Sequence, residues 1–335
     1  MEEAIKELLK RAYHGRVDDI HFLPDQDHYA IYFRQGGNLV HQRDLNLEEG
    51  ARWIRYLKYV SHLDVGERRL PQEGSLFYDL DDFKIELRLS TLANYMLQES
   101  LVIRLLFDYE QETLSIESLD DFEIMKTYMK KQSGLILFSG PVSSGKTTLI
   151  YQLLRDLYQK QAKQIITMED PVELKEKNFL QVQVNEKAGT TYDVLIKASL
   201  RHHPDILLIG EIRDEWTARM VMRAALTGHL VLATVHAKNC VGVLGRLQEL
   251  GISQEQLLQT LLLIVSQRLI PLLPLEDNRR SMICEWMDAS MITHWMMNGQ
   301  HSDQFSSLNK KLEEAYQGGR ISQEVKASYQ LESDC

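Results

Sequence analysis

Two hydrophobic periods alternate along this chain, and the places where one gives way to the other mark its elements. Near the N-terminus Ile5, Leu8, Leu9 and Ala12 recur at three- and four-residue intervals, which is one face of a helix. Asp19–Pro24 and His28–Arg34 then read as strands, and the segment around Gly36-Gly37 as a turn between strands. Leu47–Val60 reads as a second helix that gathers Trp53, Ile54, Leu57 and Val60 on one side. Leu63–Gly74 is too polar and too punctuated by glycine and proline to be core, and is expected to be an exposed working loop. Beyond it Lys84–Ser90 and Ser100–Leu106 alternate apolar with polar residues, which sets Arg88 and Arg104 on the outward face of two strands. Residues 1–107 therefore predict a small α/β domain, and the acidic, aperiodic stretch 108–118 a linker.

From residue 119 onward the pattern changes to short, wholly apolar runs separated by helical ones. A helix over Leu119–Lys131 feeds the run Leu135–Phe138, followed by a small-residue loop, Ser139–Gly145, and a helix from Lys146. Further apolar strands are expected at Gln164–Met168, Ile206–Ile209 and Leu230–Val235, with helices over Tyr192–Arg201 and Trp216–Leu226 between them. Strands that alternate with crossover helices make a parallel sheet, so residues 119–335 predict an α/β domain. The later strands run into Glu169-Asp170-Pro171-Val172-Glu173, Gly210-Glu211 and His236, and the carboxyl edge of such a sheet is where ligand sites are built. The C-terminal part of this domain is expected to be helical, and its Trp- and Met-rich region 276–335 core packing.

The loop carries the sharpest chemistry. Gly140, Pro141, Val142, Ser143, Ser144, Gly145, Lys146, Thr147 and Thr148 fit the Walker A spacing: small residues let the backbone curl so that successive N–H groups face phosphate oxygens, at the positive end of a helix. Lys146 would reach the terminal phosphates of ATP, and Thr147 would give its hydroxyl to Mg²⁺. Glu211 suits the carboxylate that supports the metal, while Glu169 and Glu173 compete to orient the attacking water, Glu173 being preferred. His229 and His236 bracket the strand Leu230–Val235 and are candidates for sensing the terminal phosphate or coupling it to a neighbouring subunit.

Charge and cysteine content narrow the class. A formal net charge of −10 over 335 residues argues against a broad nucleic-acid surface, and no direct nucleic-acid binding is expected. Cys240, Cys284 and Cys335 are too far apart for a CxxC metal site and suggest a reducing compartment. The N-terminus lacks the apolar core of a signal peptide. The longest apolar stretch, Leu257–Leu275, is broken by Gln259, Gln267, Arg268 and two prolines, so it offers no transmembrane helix. A soluble protein, or one attached to a membrane through a partner, is expected.

Four ordered boxes resemble those of the type II/type IV secretion ATPase superfamily: Gly140–Thr148, Thr167–Glu173, Leu200–Asp214 and Ala225–His236, with Asp19–Pro24 and Glu67–Gly74 similar upstream. The resemblance implies a PAS-like N-terminal domain ahead of a RecA-like P-loop ATPase domain, assembled as a homo-hexamer that uses ATP and Mg²⁺. It also implies a cytoplasmic motor, peripheral at the inner face of the membrane, whose partner is an inner-membrane platform protein. Arginines matching Arg88 and Arg104 reach the phosphates in that family. The short start and the lack of cysteine over Leu273–Arg280 look like the competence pilus assembly ATPase of Gram-positive bacteria, which serves DNA uptake; type II secretion and pilus retraction motors are the alternatives. Ser143 departs from the usual glycine, and His202-His203 from the usual polar pair.

Overall fold

The computed structural model describes residues 1–35, 38–81, 83–106, 113–185, 188–274 and 279–331. The chain divides into two units, Met1–Tyr109 and Glu110–Cys335. In the first, α1 (Glu2–His14) precedes β1 (Asp19–Pro24), β2 (His28–Gln35) and β3 (Asn38–Asn46). Then come α2 (Leu47–Val60), β4 (Gln72–Asp79), β5 (Lys84–Ala93) and β6 (Glu99–Leu106). The strands form one antiparallel sheet in the order β3-β2-β1-β6-β5-β4. Its period of two is the reason for a single core: Ile20, Phe22, Ile31, Phe33, Ile85, Leu87, Leu101 and Ile103 face Leu8, Leu9, Trp53 and Leu57 of the helices, leaving the other face polar. Asn46 starts α2 by accepting from Glu49 N, and acidic residues fill the first turn.

The stretch read as a loop is partly strand. Gln72–Gly74 opens β4 and pairs with Leu89–Thr91 of β5. The polar residues before it are tied down locally, since Glu67 accepts from the amides of Arg69 and Leu70 and Gln72 bridges to Asp64 and Glu67. Their polarity reflects local hydrogen bonding rather than an open loop. The expected turn at Gly36-Gly37 and the first part of the expected linker lie outside the described residues.

The second unit holds α3 (Leu119–Met129), β7 (Gly134–Ser139), α4 (Lys146–Lys160), β8 (Ile165–Glu169), β9 (Leu180–Gln183) and α5 (Tyr192–Ser199), which runs into a 3-10 turn at Leu200–His202. It continues with β10 (Ile206–Ile209), α6 (Glu215–Leu226), β11 (Leu230–Val235), α7 (Cys240–Glu249) and α8 (Gln254–Thr260). The last elements are β12 (Leu261–Pro271), β13 (Arg280–Asp288), α9 (Ala289–Asn298), α10 (Leu308–Gln317) and α11 (Gln323–Tyr329). Seven strands run β13-β12-β7-β11-β10-β8-β9, parallel except for the β12–β13 pair. Four of the parallel strands, β7, β8, β10 and β11, are buried along their whole length, as strands covered on both faces must be. The result is a mixed α/β fold with a parallel sheet.

Strands β12 and β13 were not foreseen: in β12 the polar break Ser266-Gln267-Arg268 leaves no clean period, and β13 lies in the region expected to be helical, where it pairs with β12 along its whole length. In β13 and α9 Met287 and Met291 are buried and Trp286 and Trp295 pack against the core, while Met297 is exposed.

One buried ion pair in the first unit is open to a direct test. Lys58, wholly buried on α2, donates to Glu99 Oε1 and to Glu67 O, both at 2.6 Å. Leaving one buried charge without its partner costs about 3–5 kcal/mol, whereas replacing both by apolar residues is often neutral. Lys58→Met is therefore expected to lower unfolding stability by that amount, and Lys58→Met with Glu99→Leu to recover most of it in urea denaturation. Equal losses in the single and double variants would refute the pairing.

Candidate functional site

The loop after β7 is shaped by three residues with left-handed backbone. Gly140 has φ +148° and passes so close to β12 that a Cβ would sit 2.5 Å from Gln267 O and 2.7 Å from Ser144 Oγ. Gly145, at φ +80°, caps the N-terminus of α4 without a side-chain hydrogen bond, so no side chain satisfies the first amides of that helix there. Ser143 sits at φ +61° in the position where the resemblance expects glycine, a conformation that costs a residue bearing a Cβ about 1 kcal/mol. Gln267, buried on β12, donates from Nε2 to Ser144 O at 2.7 Å. Ser144 Oγ and Gln267 Oε1 are buried and have no partner among the described residues.

Lys146 opens α4 and turns back on its own loop, donating to Gly140 O and Pro141 O at 2.9 Å each. Burial pushes its ammonium below the ordinary lysine range; Glu211 pulls it back up, Arg268 pushes it down and Glu173 pulls it up. Thr147 and Thr148 lie half-buried on the same first turn. The cradle fits a phosphate chain: the glycines leave the volume, the helix end supplies donors, and a lysine now spent on backbone carbonyls can exchange them for anionic oxygens. The hydroxyl of Thr147 and the carboxylate of Glu211 are hard oxygen donors of the kind Mg²⁺ takes.

Facing the cradle's charge, Glu211 follows β10 in a loop held by Ile212 N to Thr234 O at 2.9 Å and by the Thr234 hydroxyl on Gly210 O. Arg213 Nε donates to Glu211 Oε2 at 2.7 Å, and His236 Nε2 stands 3.3 Å from Oε1. Arg213 also reaches Asp170 Oδ2 at 3.3 Å. Glu211 and His236 thus come together at the carboxyl edge of the sheet.

The two competing glutamates have different surroundings. Glu169 is buried and its Oε1 accepts from Tyr151 OH at 2.6 Å and Thr167 Oγ1 at 2.7 Å, with Gln181 donating in turn to Tyr151. Burial raises its carboxyl above the usual range, against the lowering by those two hydrogen bonds. Glu173 is exposed, and its charge is felt at both Lys146 and Glu169.

His229 is not brought to this edge. It precedes β11, where its ring Nδ1 lies 3.3 Å from Ala224 O and from Thr227 Oγ1, and its carbonyl accepts from Gly134 N at 3.1 Å. The length of β11, about 20 Å at about 3.3 Å per residue, separates it from His236. Bracketing a strand places two residues at opposite edges of the sheet, so the two histidines do not form one cluster.

Arg88 and Arg104 belong to the first unit, where β5 and β6 place them directly opposite each other. Arg104 Nε donates to Asp19 Oδ1 at 2.8 Å, and Arg34, which the sequence reading did not single out, lies across from Asp19 with Nε 4.0 Å from Oδ2. The polar face of that sheet therefore carries a cross-strand row of Arg34, Asp19, Arg104 and Arg88. Gln267 and Arg268 were also missed as site residues; their signal was the polar break they make in the apolar stretch Leu257–Leu275.

The family model described as "Type II/IV secretion system protein" matches residues 1–324. The chain is 46% identical to Competence protein ComGA of Streptococcus pneumoniae, covering 81% of this chain and 85% of that protein. It is 41% identical to Competence protein ComGA of Bacillus subtilis, covering 81% and 77%. In three dimensions it is similar to the Legionella pneumophila ATPase DotB, with a TM-score of 0.75, 19% identity and coverage of 97% and 94%, which shows the fold. Among the described residues no helix is long and apolar enough to cross a membrane.

The placement of Glu169 predicts a pH signature. A carboxyl whose pKa is raised on folding holds its proton longer in the native state than in the unfolded chain, so stability is lost as pH rises from the unfolded value, about 4.3, through the folded one. Glu169→Gln removes that loss. In urea unfolding over a pH series, the variant is expected to gain on the parent as pH rises from about 4.3 to the raised folded value, and to hold a constant advantage beyond it. A difference that stays flat with pH would contradict the buried, proton-retaining carboxyl.

Proposed function

We propose that this chain, which belongs to the type II/IV secretion system protein family, is a Mg²⁺-dependent ATP hydrolase that powers assembly of a competence-type pilus for DNA uptake. The observation that carries the enzymatic reading is Lys146 folded onto Gly140 and Pro141 inside a left-handed cradle, with Glu211 and His236 beside it at the carboxyl edge of a parallel sheet. Relatives named for competence, aligned over most of their own length, support the pilus reading over type II secretion or retraction.

In this reading 119–335 is the RecA-like motor domain, 1–107 the PAS-like domain and 108–118 the linker. The bound ATP–Mg²⁺ supplies the phosphoanhydride and the Lewis acid. Lys146 would leave its two carbonyls to neutralise phosphate oxygens, and Thr147 and Glu211 would hold the metal. His236 and Arg213 fix the Glu211 carboxylate, and His236 reports its position. Glu173, exposed, orients the attacking water, while Glu169, locked by Tyr151 and Thr167, supports the strand end beneath it. Arg88 and Arg104 supply guanidinium groups to the developing phosphoryl charge, and His229, at the far edge, suits coupling to a neighbouring subunit. The working form is a cytoplasmic homo-hexamer docked on an inner-membrane platform protein, with no direct hold on nucleic acid.

Two sets of variants test this. Lys146→Ala is expected to abolish ATP turnover, Glu211→Gln to keep nucleotide binding and lose most turnover, and Glu173→Gln to lower turnover more than Glu169→Gln does. Parental turnover in folded Lys146→Ala protein would place the active site elsewhere.

Arg104→Ala and Arg88→Ala should keep the fold and bind ATP nearly as well, but lose about 10³-fold in turnover at saturating ATP, the scale of an arginine that meets transferring phosphoryl charge. Unchanged turnover in both would end the proposed role of the first domain in catalysis.

A further inference from the structure

The segment that follows β11 is fastened residue by residue to three strands of the sheet. Ala237 O accepts from Ser139 Oγ at 3.0 Å, at the end of β7. Lys238 O accepts from Arg268 Nη2 at 2.5 Å, on β12. Asn239 caps α7 through Gly242 N at 2.8 Å, and Cys240 N donates to Glu285 Oε1 at 2.7 Å, on β13. Glu285 is itself buried, and its other oxygen accepts from Leu308 N at 2.9 Å, so one carboxylate caps the starts of α7 and α10.

Strand β12 also holds the phosphate loop. Its register places Ser266 opposite Ser139, the last residue of β7, so Gln267 is the first residue beyond the point where the chain of β7 leaves for the loop. There the Gln267 carbonyl faces Gly140 and accepts from Arg268 Nη1 at 2.8 Å, while the Gln267 amide grips Ser144 O. Both residues are buried, and beyond the end of β7 they stay paired on one side, Gln267 opposite Cys284 and Arg268 opposite Ile283 of β13, which holds their backbone in place.

We infer that Gln267 and Arg268 are positioning residues that couple the phosphate loop to the segment bearing His236, so that ordering of one is transmitted to the other through a single rigid peptide of β12. This rests on the nucleotide reading above. A guanidinium that spans Gln267 O and Lys238 O cannot follow the loop without moving the segment, because its planar fork fixes both contacts at once.

Backbone hydrogen exchange tests the coupling without relying on turnover. With a non-hydrolysable ATP analogue and Mg²⁺, exchange in the parental chain is expected to slow in both 140–149 and 237–242. In Arg268→Met, the loop should remain protected while protection of 237–242 falls at least fivefold, and Arg268→Lys should restore part of it. Gln267→Met, which keeps length and removes the donor, is expected to weaken analogue binding about tenfold, the equivalent of one net hydrogen bond. Circular dichroism and the thermal midpoint of each variant separate a lost contact from a lost fold. Protection of 237–242 in folded Arg268→Met equal to that of the parent overturns the inference, as does a parental 237–242 segment indifferent to the analogue while 140–149 is protected. No protection at 140–149 in the parental chain overturns the nucleotide reading, and the inference with it.

Discussion

The close passage of Gly140 beneath strand β12 is the constraint on which the phosphate loop and its surroundings depend. A methyl group at that position would stand 2.5 Å from Gln267 O, inside any real contact distance, so the loop exists only with glycine there. The same approach puts the loop within reach of the Gln267 amide and leaves the first turn of α4 facing outward with its donors unspent by side chains. Lys146 then donates to the carbonyls of the loop it belongs to, and its depressed basicity follows from burial at that spot.

From this constraint the asymmetry between the two glutamates follows. Glu169 ends a strand and points into the layer between sheet and α4, where Tyr151 of that helix and Thr167 supply hydrogen bonds and water is excluded. Glu173 comes after a proline, outside the packed layer, where it stays hydrated. Two carboxyl groups four residues apart are thereby set in different surroundings, and burial raises the pKa of Glu169. A buried carboxylate oxygen already committed to two donors is a poor orienter of water, and this is the reason the proposal gives that role to the exposed residue.

The parallel sheet was legible because β7, β8, β10 and β11 are mostly apolar and run into Ser139, Glu169, Gly210 and His236; the phosphate loop was legible because glycine, lysine and threonine fall at fixed spacing just after one of them. What sequence could not give was depth and direction. Nothing in the order of residues distinguishes Glu169 from Glu173 until Tyr151 is known to lie over one of them. His229 and His236 read as a pair because they flank one strand, yet a strand carries its two ends to opposite edges of the sheet. Gln72–Gly74 reads as loop in sequence because an edge strand with one solvated face tolerates glycine and polar side chains that a central strand would not. The fold of unit one was nonetheless visible in its alternation, since every second residue of β5 and β6 is apolar.

Strand β12 explains why the polar pair Gln267-Arg268 went unread and why it matters. In sequence the two residues register only as a flaw in an otherwise continuous apolar run. In the folded chain they stand one step past the end of β7, where the ladder between the two strands stops and a carbonyl is left without its partner. A buried carbonyl in that position must be satisfied, and Arg268 satisfies it from the same strand, with its second nitrogen carried to Lys238 O. The cost of burying a guanidinium is offset by two carbonyls and by Glu285, whose charge raises the Arg268 pKa against the lowering by burial. An apolar residue at 268 would leave the ladder end unsatisfied and remove the tie from β12 to Lys238 O, while the contacts of Ser139 and Glu285 with the segment after β11 remained. The polar break in the hydrophobic run is thus a consequence of where β7 must stop, and β7 must stop there because the chain turns at Gly140 to make the loop.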